Sequence, residues 1–97
     1  MYKIFFTKQS LKDLDRLKEA NISTKAKALV DVIRENPYQN PPRYEKLVGK
    51  LDGILSRRIN IQHRLIYQVF EEPFTENGIK YQGIVKIIRM WTHYDHV

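Results

Sequence analysis

The chain has 97 residues, of which 42% are hydrophobic and 29% charged, and its formal net charge is +6. This length predicts a single domain, residues 1–97, with a thin hydrophobic core. The chain contains no cysteine, which excludes disulfides and thiolate metal sites. It has no apolar run of signal-peptide or membrane-spanning type, so we expect a cytoplasmic protein without a membrane partner. The positive charge favours a polyanionic partner, although a solvated basic surface has the same composition.

The first half of the chain predicts a strand and two helices. Residues 2–6 are mostly aromatic or β-branched and predict a short strand. Ser10 is the expected N-cap of a helix that runs to about Ala20, because leucines recur there at helical spacing. Ser23 or Thr24 is the expected cap of a second helix, which ends before a proline-rich segment. The short link between the two predicts an antiparallel helical hairpin.

The second half predicts three strands. Residues 44–48 are compatible with a short turn of helix, whereas 55–60 and 63–71 predict a β-hairpin. The dipeptide at 77–78 is Asn-Gly, a turn signal, and residues 82–93 predict a long final strand. The order β-α-α-β-β-β indicates an α+β fold of two layers. We expect the helical hairpin to pack on one face of a mainly antiparallel four-stranded sheet.

Alternation along the strands indicates which side chains face away from the helices. In the final strand, the even-numbered residues between 84 and 90 form the better core face. This places Arg89 and Trp91 on the open face of the sheet, where Trp91 either stacks on RNA or packs at the strand end. If the odd-numbered residues 65–69 pack under the helices, Arg64 projects onto the open face. A surface arginine paired with a carboxylate is the alternative for Arg64.

Positive charge is concentrated between Arg43 and Arg64, where six lysines and arginines accompany two acids. Four motifs lie in and after this region: Tyr44-Glu45-Lys46-Leu47, Leu55-Ser56-Arg57-Arg58-Ile59, His63-Arg64-Leu65-Ile66-Tyr67 and His93-Tyr94. Together, the segments 44–69 and 91–94 resemble the YoeB/Txe family of bacterial toxins, within the RelE superfamily.

The resemblance implies a RelE-like fold and the toxin component of a type II toxin–antitoxin module, a ribosome-dependent endoribonuclease that cleaves mRNA. It implies a cognate antitoxin of the YefM or Axe type, mRNA and the ribosome as partners, and a homodimer or a toxin–antitoxin hetero-oligomer. No cofactor and no metal are expected, since His63, His93 and His96 are too scattered for a metal site. The implied catalytic residues are Glu45, Arg64, His93 and Tyr94. The expected RNA-binding residues are Arg57, Arg58, Lys50 and Arg89.

RNA can be cut without a metal, because its 2′-OH is a nucleophile beside the phosphate. Glu45 is the expected base, Arg64 the phosphate clamp, and His93 the acid for the leaving 5′-oxygen. Tyr94 is expected to stack on a base or donate a hydrogen bond. The alternatives are that Glu45 only pairs with a neighbouring cation, and that His93 is a structural histidine.

The sequence also departs from the family pattern. Leu55 stands in place of the usual Trp and Tyr44 in place of the usual Pro, and the loop at 72–81 is longer than typical. Residues 95–97 extend past the His-Tyr pair, so His96 is a second candidate for the general acid. Two other functions remain open: a non-catalytic RNA- or ribosome-binding module, and a gyrase-targeting toxin of the same superfamily.

Overall fold

The structure is a computed structural model and describes residues 1–47 and 53–91. Within these ranges the elements are, in chain order, β1 (Tyr2–Phe6), α1 (Lys8–Glu19), α2 (Ser23–Glu35), β2 (Tyr44–Lys46), β3 (Ile54–Arg58), β4 (Arg64–Phe70), β5 (Phe74–Glu76), β6 (Ile79–Tyr81) and β7 (Gly83–Arg89). Neither of the helices in this part of the chain is long and apolar enough to cross a membrane.

The described strands form one five-stranded sheet, in the order β1-β7-β4-β3-β2, and a separate two-stranded hairpin of β5 and β6. Only the β1–β7 pair of the large sheet is parallel, so the prediction of a mainly antiparallel α+β fold is confirmed. The predicted strand number was too low for two reasons. Residues 44–46 pair with β3 as a strand and do not form a helical turn. The long loop at 72–81 folds into a hairpin around its Asn-Gly turn.

The helix starts differ from the prediction because other residues cap them. The Thr7 hydroxyl accepts a hydrogen bond from the Ser10 N–H at 3.0 Å, and the Ser10 hydroxyl donates to the Thr7 carbonyl at 2.8 Å. Thr7 is therefore the N-cap of α1, and Ser10 lies buried in its first turn. Helix α2 begins at Ser23 with Ile22 in the capping position, so the prediction of a Ser23 or Thr24 cap was wrong.

The hydrophobic core lies between the helical hairpin and one face of the sheet. The predicted inward positions of β4 are confirmed, because Leu65 and Tyr67 are fully buried against the helices. The predicted inward face of β7 was wrong. Tyr67 pairs with Ile87, and Val69 pairs with Val85, so the odd-numbered residues of β7 share the core face. Both faces of β7 are apolar in sequence, so its neighbours in the sheet decided the orientation.

Candidate functional site

Three of the predicted site residues meet where β2, β3 and β4 lie side by side. Glu45 is paired across the strands with Ser56, and Arg58 is paired with Arg64. Cross-strand partners point to the same face of a sheet, and residues two apart on one strand do so as well. All of these side chains therefore share one face of the sheet.

These residues line a cavity of about 430 Å³. Four cationic side chains and one carboxylate contribute to its wall, so the wall is strongly basic. Ser56 lies fully buried in the wall, and among the described residues its hydroxyl has no hydrogen-bond partner. The described lining residues are Lys25, Leu29, Pro42, Arg43, Glu45, Ser56, Arg58 and Arg64.

Glu45 and Arg64 face each other without a close hydrogen bond. The Glu45 Oε2 to Arg64 Nη1 distance is 3.9 Å, whereas a charge-assisted hydrogen bond measures about 2.7–2.9 Å. The Arg64 side chain is 14% exposed and the Glu45 side chain 35% exposed. The carboxylate thus remains accessible to a ligand, and the guanidinium is held at the inner wall of the cavity.

Arg58 and Arg64 stand directly opposite each other on adjacent strands. Like charges in this arrangement destabilise a sheet, unless an anion or a carboxylate compensates for them. The pair combines an exposed guanidinium, that of Arg58, with the largely buried one of Arg64. This geometry suits an anion with several oxygen atoms, such as a phosphate, because an arginine offers a planar set of donors.

Arg57 does not belong to this surface, and the prediction that it contacts RNA was wrong. Its side chain is fully buried. Its guanidinium donates hydrogen bonds to the carbonyls of Pro37 at 3.0 Å, Gln39 at 2.9 Å and Pro42 at 2.6 Å. Its Nε also donates to the Tyr67 hydroxyl at 3.0 Å. Arg57 therefore anchors the segment that leads from α2 into β2.

Tyr67 completes this buried network. Its hydroxyl accepts from Arg57 and donates to the Pro37 carbonyl at 2.7 Å. Burial raises the pKa of Tyr67 and outweighs the opposing effects of the Arg57 charge and hydrogen bond. The phenol therefore stays protonated and keeps its donor role, and the network holds the backbone immediately before Glu45.

Arg89 lies away from the cavity and is held by α1. Its Nε is 2.8 Å from Oδ2 of Asp13, which is fully buried, and its Nη2 is 3.4 Å from the Trp91 carbonyl. The RNA-binding prediction for Arg89 depended on an open odd-numbered face of β7, and that face is the core face. We therefore assign Arg89 to the contact between α1 and β7.

Trp91 packs within the protein. Its ring stacks on His63 with centroids 4.0 Å apart and an angle of 25° between the planes, and Arg16 lies 5.9 Å from its centroid. Of the two alternatives for Trp91, the structure favours packing over RNA stacking. His63 is buried by the same contact, a role that its motif did not reveal.

Lys50, His93, Tyr94 and His96 lie outside the described residues, and their predicted roles stay predictions. Lys25 and Arg43 are cavity residues that the sequence analysis did not select. Arg43 is the first residue of the basic segment that runs from Arg43 to Arg64. Lys25 carried no signal, because it is one of two lysines on an amphipathic helix. Within residues 1–47 and 53–91, no group of three or more His, Cys, Asp or Glu residues is arranged to hold a metal.

The fold is shared with solved structures of other proteins. In each of them two helices pack on a mainly antiparallel sheet, as they do in this chain. The YoeB/ParE toxin from Agrobacterium tumefaciens shares the fold, with a TM-score of 0.74, 24% identity, and coverage of 95% of this chain and 99% of that chain.

The family follows from the sequence match. Residues 6–94 match the model of the YoeB-like toxin of bacterial type II toxin-antitoxin systems, and the chain belongs to this family. The YoeB dimer from Staphylococcus aureus is 28% identical with a TM-score of 0.74, covering 96% of this chain and 98% of that one. The YoeB–YefM complex from the same organism is 29% identical with a TM-score of 0.70, covering 97% and 99%. The predicted resemblance to the YoeB/Txe family is confirmed.

Curated relatives match a shorter region. Toxin YoeB of Mycobacterium bovis and Toxin RelK of Mycobacterium tuberculosis are each 34% identical to this chain over 53 residues. That region is 55% of this chain and 62% of each relative, so the match spans less than two thirds of the relatives' length.

Proposed function

We propose that this chain is the toxin of a type II toxin–antitoxin module and cleaves mRNA bound to the ribosome. The observation that supports this best is the cavity in which Glu45 faces Arg64, with Arg58 opposite Arg64 on the next strand. The arrangement places an accessible carboxylate beside donors for a phosphate. A transesterification at RNA needs these groups, together with an acid for the leaving group.

In the proposed reaction, Glu45 removes the proton from the 2′-OH, and the 2′-oxygen attacks the adjacent phosphorus. Arg64 and Arg58 stabilise the charge that develops on the phosphate oxygens. The bond from phosphorus to the 5′-oxygen breaks, and His93 donates a proton to that oxygen. The products are a 2′,3′-cyclic phosphate and a 5′-OH end. Tyr94 stacks on a base or donates a hydrogen bond to the substrate.

The proposed partner is an acidic antitoxin of the YefM type. The Staphylococcus aureus relative is described as a YoeB–YefM complex, and a separate structure of it as a dimer. The formal charge of +6 and the basic cavity favour an acidic segment that folds on binding. An antitoxin that covers Arg58 and Arg64 would compete directly with RNA.

Primer extension on a defined mRNA, translated with purified ribosomes, tests the proposal. We expect the wild-type chain to cut the message in the presence of ribosomes and Glu45→Gln to lower the cleavage rate by about 10²–10⁴-fold. Lys46→Ala is the matched control, since Lys46 is the exposed next residue of β2 and belongs to no described part of the cavity. An intact message with folded wild-type protein would contradict the nuclease proposal and favour a non-catalytic binding module.

The choice between His93 and His96 as the acid needs a second experiment. A 5′-thio leaving group departs without a proton, because a thiolate is much less basic than an alkoxide. We expect this substrate to restore cleavage by His93→Ala but not by Glu45→Gln. If the 5′-thio substrate restored cleavage by His96→Ala but not by His93→Ala, His96 would be the acid. If His93→Ala and His96→Ala each cleaved the 5′-thio substrate as poorly as the normal substrate, an acid role for either histidine would be contradicted.

A further inference from the structure

The cavity extends beyond the pair that the proposed reaction uses. Lys25 reaches it from the first turns of α2, and Arg43 from the residue just before β2. Neither side chain has a role in the proposed proton transfers. Their position next to Arg58 and Arg64 gives the wall of the cavity more cations than one phosphate requires.

The charge of these two side chains is not compensated by the described part of the chain. Within residues 1–47 and 53–91, no carboxylate oxygen lies within 4 Å of the Lys25 or Arg43 nitrogen atoms. The single described carboxylate of the cavity, Glu45, lies against Arg64. An anionic ligand therefore gains from Lys25 and Arg43 without first breaking a described ion pair.

Both residues stand on anchored backbone. Helix α2 is fixed beneath Lys25, because Ala26 and Leu29 are buried in the core. The backbone before Arg43 is fixed as well, since the Pro42 carbonyl accepts a 2.6 Å hydrogen bond from Arg57. Long side chains on a fixed backbone lose less entropy on binding than side chains on a mobile loop.

We propose that Lys25 and Arg43 form a second phosphate subsite, which binds the backbone phosphate next to the scissile one. This rests on the proposed function, since it divides one RNA strand between two parts of the same cavity. Arg58 and Arg64 contact the reacting phosphate, and Lys25 and Arg43 set the direction in which the strand leaves it. Contacts of this kind fix register and carry no sequence information.

The test measures binding of an RNA oligonucleotide in which the reacting nucleotide carries a 2′-O-methyl group. This group removes the nucleophile and leaves the protein unchanged. We expect the double variant Lys25→Ala/Arg43→Ala to reduce the slope of log affinity against log salt by about 0.7, the value for one phosphate that is no longer neutralised, and each single variant to reduce it by part of that amount. Lys27→Ala is the matched control, because Lys27 is exposed on the same helix and lines a different groove. Its slope is expected to match the wild type.

A neutral methylphosphonate, moved one position at a time along the oligonucleotide, identifies the phosphate involved. At the neighbouring phosphate, the substitution should weaken the wild type more than it weakens Lys25→Ala, because in the variant only the Arg43 contact is left to lose. In the cleavage assay, Lys25→Ala should raise KM up to about fivefold with kcat nearly unchanged, as expected for loss of an exposed ion pair that contributes to uniform binding.

The outcomes separate the two proposals. If ribosome-bound message stays intact with the wild type while the salt slopes behave as described, the nuclease proposal fails and the subsite stands. The subsite is overturned if the wild type cleaves the message but the salt dependence of RNA binding has the same slope in Lys25→Ala, Arg43→Ala and Lys27→Ala. The subsite is also overturned if the wild type binds RNA without salt dependence. The same holds if the affinity losses from Lys25→Ala and from the methylphosphonate at the neighbouring phosphate add in full.

Discussion

Arg57 and Arg58 are neighbours in β3, but their side chains differ in burial and in hydrogen bonding. Arg57 is fully buried in a network of backbone carbonyls and the Tyr67 hydroxyl, whereas Arg58 is exposed in the cavity wall. Strand alternation separates them, since adjacent residues point to opposite faces. The same dipeptide thus supplies one structural arginine and one candidate phosphate ligand.

We predict that Arg57→Met lowers the free energy of unfolding by about 3–5 kcal/mol, because it leaves buried carbonyl and hydroxyl groups without their charged donor. Arg58→Met is the control and should change it by no more than about 0.5 kcal/mol. Urea denaturation, followed by circular dichroism, measures both. Equal stability of the two variants would show that the buried network contributes little.

At the scale of elements, a buried carboxylate joins α1 to the end of β7. Asp13 accepts hydrogen bonds from Arg89 Nε at 2.8 Å, the Met90 N–H at 3.0 Å and Gln9 Nε2 at 3.0 Å. Burial alone raises the pKa of Asp13, but these hydrogen bonds and the Arg89 charge outweigh burial and lower it. The carboxylate is therefore ionised in the folded protein and orients the final strand against the first helix.

A lowered pKa in the folded state means that Asp13 stabilises the fold at neutral pH. This contribution is present above the unfolded pKa of about 3.9 and is lost as pH falls below it. We predict that Asp13→Asn costs about 2 kcal/mol at pH 7 and that its difference from the wild type shrinks toward pH 3.

Denaturation midpoints between pH 7 and pH 3 check this prediction. Asp15→Asn is the control, because Asp15 lies on the same helix with a side chain that is 74% exposed. A difference between wild type and Asp13→Asn that stays constant across this range would contradict the ionised state assigned to Asp13.

At the scale of the whole molecule, a net charge of +6 coexists with a cavity whose described wall carries several cations and one carboxylate. A field of this kind accelerates encounter with polyanions and is weakened by salt. It affects the proposed RNA and antitoxin alike, so one basic surface serves both the proposed activity and its proposed control.

We predict that the association rate with an acidic antitoxin falls steeply as salt rises, with little change in the dissociation rate, because exposed charges act mainly on encounter. Arg58→Gln should lower the association rate at low salt, whereas Lys27→Gln, outside the cavity, should have a smaller effect. Stopped-flow or surface-binding kinetics at several salt concentrations measure these rates. If Arg58→Gln and Lys27→Gln lowered the association rate equally, the cavity would not be the site at which the antitoxin first binds.

Much of the fold could be predicted from local patterns. The leucine spacing in residues 11–17 and the prolines after 36 indicated two helices, and the Asn-Gly at 77–78 indicated a turn, because these signals act over a few residues. The end of the second helix and the first strand were confirmed. The strand at Tyr44–Lys46 was missed because three residues are too short for a period to show.

The candidate site was predicted in part. Glu45 and Arg64 were selected from a family resemblance, and the structure brings them together in one cavity with Arg58. Composition alone did not distinguish the arginines of the basic segment from one another. Lys25 could not be found at all, since its place in the cavity depends on how α2 lies relative to β2 and β3.

The sequence by itself determined the two helices, the first strand and the family to which the chain belongs, because periodicity, helix-breaking prolines and motif spacing are local properties. Only the tertiary structure decided which side of β7 faces the core, which of Arg57 and Arg58 is buried, and which lysine joins the cavity. Burial depends on which element packs against which face, and in this chain both faces of β7 are apolar and both positions in β3 are arginine. Neighbouring strands and helices resolved those ambiguities, and with them the candidate site.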